Sequence, residues 1–586
     1  MTKTWKICHH DLAKIAHLEK NLAIPAVVAQ LLTARQLTDL EVARQFLNPK
    51  LSDLREPTDL PGVSQGVEVI LRAIQEKKKV TIYGDYDADG MTSTAILYRC
   101  LELLGATVDY LIPNRLGEGY GLHRENLDQL AARGSDLVVT VDCGISDVDE
   151  VAYATKLGIE IIITDHHRVG PTIPEAAAVV HPALPGGGYP FDGLCGAGVA
   201  FKLAWALCQE VSGEKKVSPR MRNFLLEAVS LAMIGTVADV VPLLDENRAL
   251  VKYGLSSILD QAPMGLQKLL IATKLDQKKG RLKTTDIGFG LAPLLNAAGR
   301  LGQAPLAVEL LTTSNEARAE AITEYICQLN ESRGTLERSV YREAHKQLQE
   351  KYNIEEAPAF VLSGKGWHSG VIGIVASRLV DKYGKPTFIV AQDKLGLKVG
   401  VGSGRAANGL NLYQALAACK DHLVSFGGHA AAAGFKIDDD KIEAFTQQFE
   451  EYLEELPGDQ VAELTIDAEI AFGQLTHESI RQFDLLEPFG QGNKSPLFCA
   501  MGVELVGEPK TMGGGKRHFS AQFRQGNHTL RAIAFGRADW VEEMLKVGGT
   551  FDIAFRPTIN EFRGQFNVEI RLEDWRKASH AAAVAG

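Results

Sequence analysis

The rhythm of hydrophobic and polar positions changes several times along this chain. Residues 1–60 carry helical spacing, clearest in LTDLEVARQFLNP, where an apolar stripe stops at a proline. Beyond them, short β-rich runs alternate with helical ones. KKKVTIYGDYDADG reads as a strand running into a Gly/Asp loop, and MTSTAILYRCLELLG as an apolar helix closed by Gly105. ATVDYLIPNR, SDLVVTVDCG and GIEIIITDHH are further strands, with DVDEVAYATKLG a helix between the last two and AAAVVHP a final short strand. Such alternation predicts a parallel, doubly wound sheet.

From about 197 to 350 the pattern is mostly helical, and SNEARAEAITEYICQLNESRGTLERSVYREAHKQLQEKY predicts one long connecting helix. A second, smaller α/β unit starts at APAFVLSGKGWHSGVIGIVASRLVDKYGKPTFIVAQ. The last part alternates in HFSAQF, LRAIAF, TFDIAF and FNVEIRL between Gly, Asn and Pro, the signature of a small β-barrel of OB type. The chain is therefore read as multidomain α/β: a helical segment over 1–60, a parallel-sheet domain over 61–315, the connecting helix over 316–353, the smaller α/β domain over 354–456, the barrel over 457–577 and a tail over 578–586. No period of 20–50 residues recurs, which excludes a solenoid.

Composition narrows the class. A chain of 586 residues exceeds one core, and 45% hydrophobic with 23% charged residues is ordinary for a soluble protein. No unbroken apolar run reaches the roughly 18 residues that span a bilayer, and MTKTWKICHHDLAK lacks the apolar core of a secretory signal. The eight cysteines are scattered without a CxxC pair. A cytoplasmic protein without disulfides, structural zinc or a membrane partner is expected. The net charge of −11 argues against wholesale coating of nucleic acid, but it hides local patches. Lys510–Arg537 holds six Lys/Arg and no Asp or Glu, and Lys365–Arg405 holds seven basic residues against two acidic ones.

The candidate chemistry sits where strands end. Asp85, Asp87 and Asp89 follow VTIY, Asp142 ends VVTV, and Asp165, His166 and His167 end IIIT. Ligands of open parallel sheets bind at the carboxyl ends of the strands. One aspartate there is ordinarily a turn former or cap, but three coincident cases point to a site. Neighbouring carboxylates repel and need a cation to stay ionised together. With imidazole added, the set suits Mn²⁺, Mg²⁺ or Zn²⁺, and its size favours two ions, a pair suited to phosphoester hydrolysis. Asp239, in AMIGTVADVVPL, is either a further ligand or the polar end of a helix.

At these residues a resemblance becomes specific. YGDYDADG, VDCG, TDHH and GTVADVVPL, in this order, resemble the four motifs of the DHH phosphoesterase superfamily, and GSGRAANGLNL with FGGHAAAAGF resembles its accessory DHHA1 domain. The chain length, the LTDLEVARQFLNP start and the LLEPFGQGNKSPLF linker resemble the branch formed by single-stranded-DNA-specific 5′→3′ exonucleases. The likeness covers nearly the whole chain and implies two-metal phosphodiester hydrolysis, with Mn²⁺ or Mg²⁺ as the ions. It implies that Asp87 and Asp89 each serve one metal, that Asp142 bridges, and that His166 and Asp239 complete the second site. Asp85 stands where related phosphatases carry a histidine ligand. Because neighbouring side chains on an extended segment point opposite ways, His166 is expected to ligate and His167 to face the phosphate, with Asp165 orienting both. Arg115, Arg300, Ser403, Arg405 and His429 match the family's phosphate contacts. A closed pocket of Arg115, Ser403 and Arg405 would admit a terminal 5′ phosphate and refuse an internal one.

In the barrel, Lys516, Arg517, Arg524 and Arg531 are the expected nucleic-acid contacts, whereas period-2 placement of Phe519 and Phe523 suits core. Trp367 and His368 either line the cleft or are structural. Single-stranded DNA is the implied substrate, and DNA repair and recombination the implied setting. The chain has no GxxxxGK[ST], so a helicase, with the single-strand DNA-binding protein, is implied to prepare the strand for a monomeric nuclease. Three alternatives use fewer of the motifs: a DHH phosphodiesterase of short oligonucleotides or cyclic dinucleotides, a dehalogenase-like phosphatase with Asp87 as nucleophile, and a non-catalytic single-strand DNA-binding protein.

Overall fold

The computed structural model describes residues 3–115, 119–213, 216–407, 409–456, 463–562 and 565–578. Of the tail assigned to 578–586, residues 579–586 lie outside this set. The described residues form two compact units, one over Pro49–Leu456 with Gly490–Asn493, the other over Met1–Asn48, Pro457–Phe489 and Lys494–Gly586.

In the first unit a five-stranded parallel sheet runs in the order Thr107–Leu111, Lys79–Gly84, Leu137–Val141, Glu160–Thr164, Ala178–Val180. Its inner strands are runs of Val, Ile and Thr buried on both faces, as LVVTV at 137–141 shows. Helix Ala88–Leu103 is buried almost all round, packed against helices Gly196–Ser212 and Pro219–Ala238. Pro219–Ala238 has the length and composition of a membrane span, although polar residues interrupt its apolar run. More than half of its apolar stretch is buried within the unit.

The connecting helix runs over Glu316–Lys351, 36 residues. At 1.5 Å per residue it is about 54 Å long. It leads into a mixed five-stranded sheet ordered Ser425–Gly428, Ala432–Ile437, Gly400–Arg405, Thr387–Gln392, Phe360–Lys365, in which only the last pair is parallel. The register sets Ser403 opposite Gly434 and Arg405 opposite Ala432. Strand Gly400–Arg405 therefore lies beside the hairpin that carries His429.

The second unit holds the barrel. Strands Phe498–Met512, His518–Gln525, His528–Ala534, Gln565–Lys577 and Thr550–Phe562 pair in turn, and the last returns to the first. Phe519, Ala521 and Phe523 alternate inward. The start of the chain departs from the all-helical expectation: Thr4–Ile7 is a strand, paired in parallel with Glu463–Ile466. A partner more than 450 positions away leaves no local periodicity to read.

Candidate metal centre

Each acidic motif is positioned by a different local device. Asp87 caps helix Ala88–Leu103, its Oδ1 accepting from the amides of Asp89 (2.9 Å) and Gly90 (3.1 Å). Asp89, within the first turn, accepts from Gly196 N (2.7 Å) and Ala197 N (2.9 Å) at the start of helix Gly196–Ser212. Exposed amides and the helix dipole both favour an anion there. Asp142 follows its strand with φ at 62°, a left-handed conformation unusual for a residue with a side chain. Its amide donates to Thr164 O at 3.0 Å, and its carbonyl accepts from the Tyr120 hydroxyl at 3.1 Å. Asp239 ends helix Pro219–Ala238.

Asp165 is an organiser. Its Oδ1 accepts from His166 N (2.7 Å), His167 N (3.1 Å) and His167 Nδ1 (2.8 Å), and its Oδ2 from Ile145 N (3.0 Å). The two rings diverge. His166 Nε2 lies 3.1 Å from Asp142 Oδ1, 3.6 Å from Asp239 Oδ2 and 3.8 Å from Asp89 Oδ2. The Nδ1 of His167 is engaged by Asp165 and, at 2.9 Å, by the Tyr120 hydroxyl. The His167 ring lies nearly parallel to that of His429, 6.4 Å between centroids.

Asp85, Asp87 and Asp142 form one group with metal-binding spacing, Asp89, His166 and Asp239 a second, and Asp142, His166 and His167 a third that joins them. Three buried atoms facing this space have no hydrogen-bond partner: Asp85 Oδ1, Asp142 Oδ1 and His166 Nε2. Burial without a partner is costly, and all three are atoms that ligate divalent cations. The donor set of carboxylate oxygen and neutral imidazole thus fits the ions expected from the sequence.

The electrostatics agree. Burial, reinforced by neighbouring aspartates, pushes the carboxyl groups of Asp85 and Asp142 well above the usual range, Asp89 to about 6 and Asp239 to about 8. Burial, with His167 beside it, lowers His166 to about 3, which leaves its imidazole neutral and ready to ligate. Burial would also lower His167, but the Asp165 hydrogen bond and charge raise it to about 9. Burial pulls Asp165 upward, yet His167 outweighs it and brings the carboxyl to about 2.

The packing leaves little slack. A Cβ on Gly196 would sit 2.6 Å from Asp142 Cβ, one on Gly235 2.3 Å from Asp89 Oδ1, and one on Gly90 2.5 Å from Asp85 O. Gly196 and Gly235 let their backbones approach the Asp142 and Asp89 side chains closely, and Gly90 lets the helix start close on the Asp85 backbone.

Beside the acids is a cationic pocket. Arg300 ends helix Ala292–Arg300 and donates to Gly370 O at 3.1 Å. Burial, with Arg115, Arg405 and Arg333 nearby, lowers its guanidinium to about 9. Arg405 donates to Ser403 Oγ at 3.1 Å, and burial followed by Arg115 lowers it as well. Gly373, on helix Ser369–Tyr383, completes the wall: a Cβ there would meet Arg405 Nη2 at 2.8 Å and Ser403 Oγ at 2.9 Å. Arg115 lies over the Tyr86 ring at 4.8 Å. Mutually repelling guanidiniums held half-buried in one place suit a polyanion.

Four contributors stand outside the motifs read from the sequence: Tyr120, Arg333, the Gly196–Ala197 amides and Asn296, whose Oδ1 accepts from Ala88 N at 2.9 Å and steadies the DADG loop. The GAG run at 196–198 and the neighbourhood of Asn296 to Arg300 were the available signals. Trp367 is buried and bonded to Glu343, hence structural, and His368 caps helix Ser369–Tyr383. In the barrel unit, Phe519 and Phe523 are fully buried. Arg524 pairs with Glu504 at 2.6 Å and Arg531 with Glu569 at 3.0 Å, while Lys516 and Arg517 sit in an exposed turn. Phe535 is 56% exposed, with the Arg571 guanidinium 5.2 Å from its ring centre.

Comparison with known proteins gives three family-model matches: the DHH family N-terminal domain over residues 79–235, the DHHA1 domain over 356–455 and the RecJ OB domain over 466–574. The single-stranded-DNA-specific exonuclease RecJ of Bacillus subtilis is 35% identical over 97% of this chain and 70% of its own. The crystal structure of Thermus thermophilus RecJ in complex with Mn²⁺ matches 98% of this chain and 80% of that one, with a TM-score of 0.82 and 34% identity. The Mg²⁺ complex of the same protein matches with a TM-score of 0.77 and 32% identity, over 98% and 79% of the two chains.

Proposed function

The chain belongs to the RecJ family of single-stranded-DNA-specific exonucleases, and on that footing we propose that it removes nucleotides from single-stranded DNA in the 5′→3′ direction by metal-dependent hydrolysis of phosphodiester bonds. The observation that carries this reading is the pair of ligand groups meeting at Asp142, with three buried ligand atoms lacking any hydrogen-bond partner. Asp85, Asp87 and Asp142 would hold one cation; Asp89, His166 and Asp239, with Asp142 beside them, would hold the other. Two Mn²⁺ or Mg²⁺ ions bound there would supply an activated water and stabilise the leaving oxygen.

The protein's own groups do the rest. Asp165 fixes the histidine loop, so that His166 offers a neutral nitrogen inward while His167, tied through Nδ1, presents its other nitrogen to the scissile phosphate. His429 faces the same space. Arg115, Ser403 and Arg405 receive the 5′-terminal phosphate and Arg300 a following one, which makes the free end the point of attack. The barrel's Lys516, Arg517, Arg524 and Arg531 draw in the rest of the strand, two of them by exchanging carboxylate partners for phosphates.

The functional division follows the sequence boundaries: phosphoesterase domain 61–315, connecting helix 316–353, substrate domain 354–456 and barrel 457–577. We place the protein in DNA repair and recombination in the cytoplasm, acting as a monomer on strands opened by a helicase and held by the single-strand DNA-binding protein. Digestion of a long strand labelled at either end, with Mn²⁺ and Mg²⁺ compared, tests the reading. Label at the 5′ end is expected to be released first; release beginning at the 3′ end would overturn it.

A further inference from the structure

Helix Ala292–Arg300 carries Asn296 and Arg300, both already at the centre, and the five residues before it, Ile287–Leu291, form a π-turn. Such turns are rare and are frequently found at functional sites. This one turns Phe289 outward. Its ring is 84% exposed, the most exposed large apolar side chain among the described residues. Ile287 and Leu291, at the two ends of the turn, are fully buried and anchor it.

The turn is tied to the metal centre from a second side. Gly288 lies against Val237, where a Cβ would come within 3.7 Å of Cγ1, and Val237 is two residues before Asp239. Immediately after Asp239, Val240 is 64% exposed, in a left-handed conformation with φ at 59°. An exposed valine thus adjoins Asp239, and the turn that carries the exposed ring packs, through Gly288, against the end of helix Pro219–Ala238. The chain entering the turn, KKGRLK over 278–283, is cationic and exposed apart from Leu282, with Lys278 paired to Asp286.

An apolar ring in water, following a cationic loop and carried on the turn that leads into the helix of Asn296 and Arg300, is complementary to an unpaired base and its phosphates. We propose that Phe289 stacks on a base of the bound strand and positions it for delivery to the metal centre, while Arg281 and Lys283 follow the backbone. The inference rests on the single-strand reading above and adds a residue that enforces it. Every base offers a π-face, so the contact is indifferent to sequence. Bases inside a duplex are already stacked and offer no such face, so the same ring discriminates against paired DNA.

The test compares Phe289→Ala, Phe289→Leu and Phe289→Trp in the full chain with Mn²⁺. Loss of one base stack is expected to raise KM for a long oligothymidylate about five- to a hundredfold in the Ala variant, with kcat on a dinucleotide unchanged. Leu, which keeps apolar bulk without a π-face, is expected to follow Ala, and Trp to match or improve on the wild type. The Trp variant also carries the test if Ala disturbs the turn. An unchanged KM for the long strand in Ala would overturn the proposal and leave the ring as a contact for a protein partner. Leu behaving as wild type would overturn it too. Failure of the wild type to digest single strands would instead overturn the functional reading itself, before Phe289 is at issue.

Discussion

The metal centre and the basic surface of the barrel solve the problem of holding a polyanion in opposite ways. At the centre, aspartates and histidines are buried or half-buried, fixed by backbone amides and crowded by glycines that leave no room for a methyl group. On the barrel, the cations are exposed, and two of the four expected contacts are already paired with glutamates. Burial makes each central group expensive and therefore specific. Exposure makes each barrel cation cheap, salt-sensitive and replaceable. The lesson is that chemistry and grip obey different rules within one chain, and a single substitution should register very differently in the two places.

The sharpest way to break that contrast is Asp142→Ala. Groups that merely support a metal ligand already cost about 10- to 100-fold when removed, so loss of the shared carboxylate is expected to lower kcat by more than about 100-fold. Calorimetric Mn²⁺ titration should show both ions weakened. Retention of one ion at full affinity would show that the two groups do not meet at Asp142.

The next effect is pH. Asp239, raised to about 8 by burial and then by Asp89 and Asp87, keeps its proton in the folded, metal-free protein across a window in which an unfolded aspartate, near a pKa of about 3.9, has lost it. Stability of the metal-free form should therefore fall as pH rises from about 4 to 8, then level off. Metal must displace that proton, so Mn²⁺ affinity should climb up to about tenfold per pH unit through the same window. Melting curves with chelator and with Mn²⁺ check both signs. A metal-free protein that gains stability over this range would contradict the assignment.

Arg405→Ala probes a place between the extremes, half-buried and cationic like the barrel. A hydrogen bond to a charged group contributes about 1.5–3 kcal/mol, so binding of 5′-phosphorylated strands should weaken about 10- to 100-fold. Strands ending in a 5′ hydroxyl should be affected less, and equal losses on both would discard the terminal pocket. The smallest effect is expected on the barrel. Lys516→Ala with Arg517→Ala should flatten the salt dependence of strand binding by about 1.4 in log–log slope, roughly 0.7 for each phosphate no longer neutralised, with kcat intact. A large fall in kcat would erase the distinction between chemistry and grip.

What could be read in advance follows the same divide between local and distant causes. Strand ends, the long helix and the alternation of Phe519 and Phe523 are written in neighbouring residues, so the parallel sheet edge, the connector and the barrel were legible. The clustering of Asp85, Asp87, Asp89, Asp142 and the TDHH residues is legible too, because a parallel sheet brings strand ends to one edge. Tyr120, Asn296, Arg333 and the Gly196–Ala197 amides were not, since each acts across many residues of chain and none stands out by type. The glutamate partners of Arg524 and Arg531 were hidden for the same reason: Glu504 and Glu569 meet them only through barrel registers. The π-turn that exposes Phe289 leaves no periodic trace at all.

The left-handed backbone at Asp142 has a consequence for inheritance. Among side chains, aspartate and asparagine tolerate that conformation best, and glycine adopts it freely. Both asparagine and glycine are one base change from an aspartate codon. The commonest errors at this codon thus include two that leave the turn relaxed and the strand-gripping surfaces whole while removing the carboxylate that both cations need. Such a product would fold, bind single-stranded ends and leave them uncut. At this one position, then, drift yields an obstruction in the path of repair rather than a simple loss.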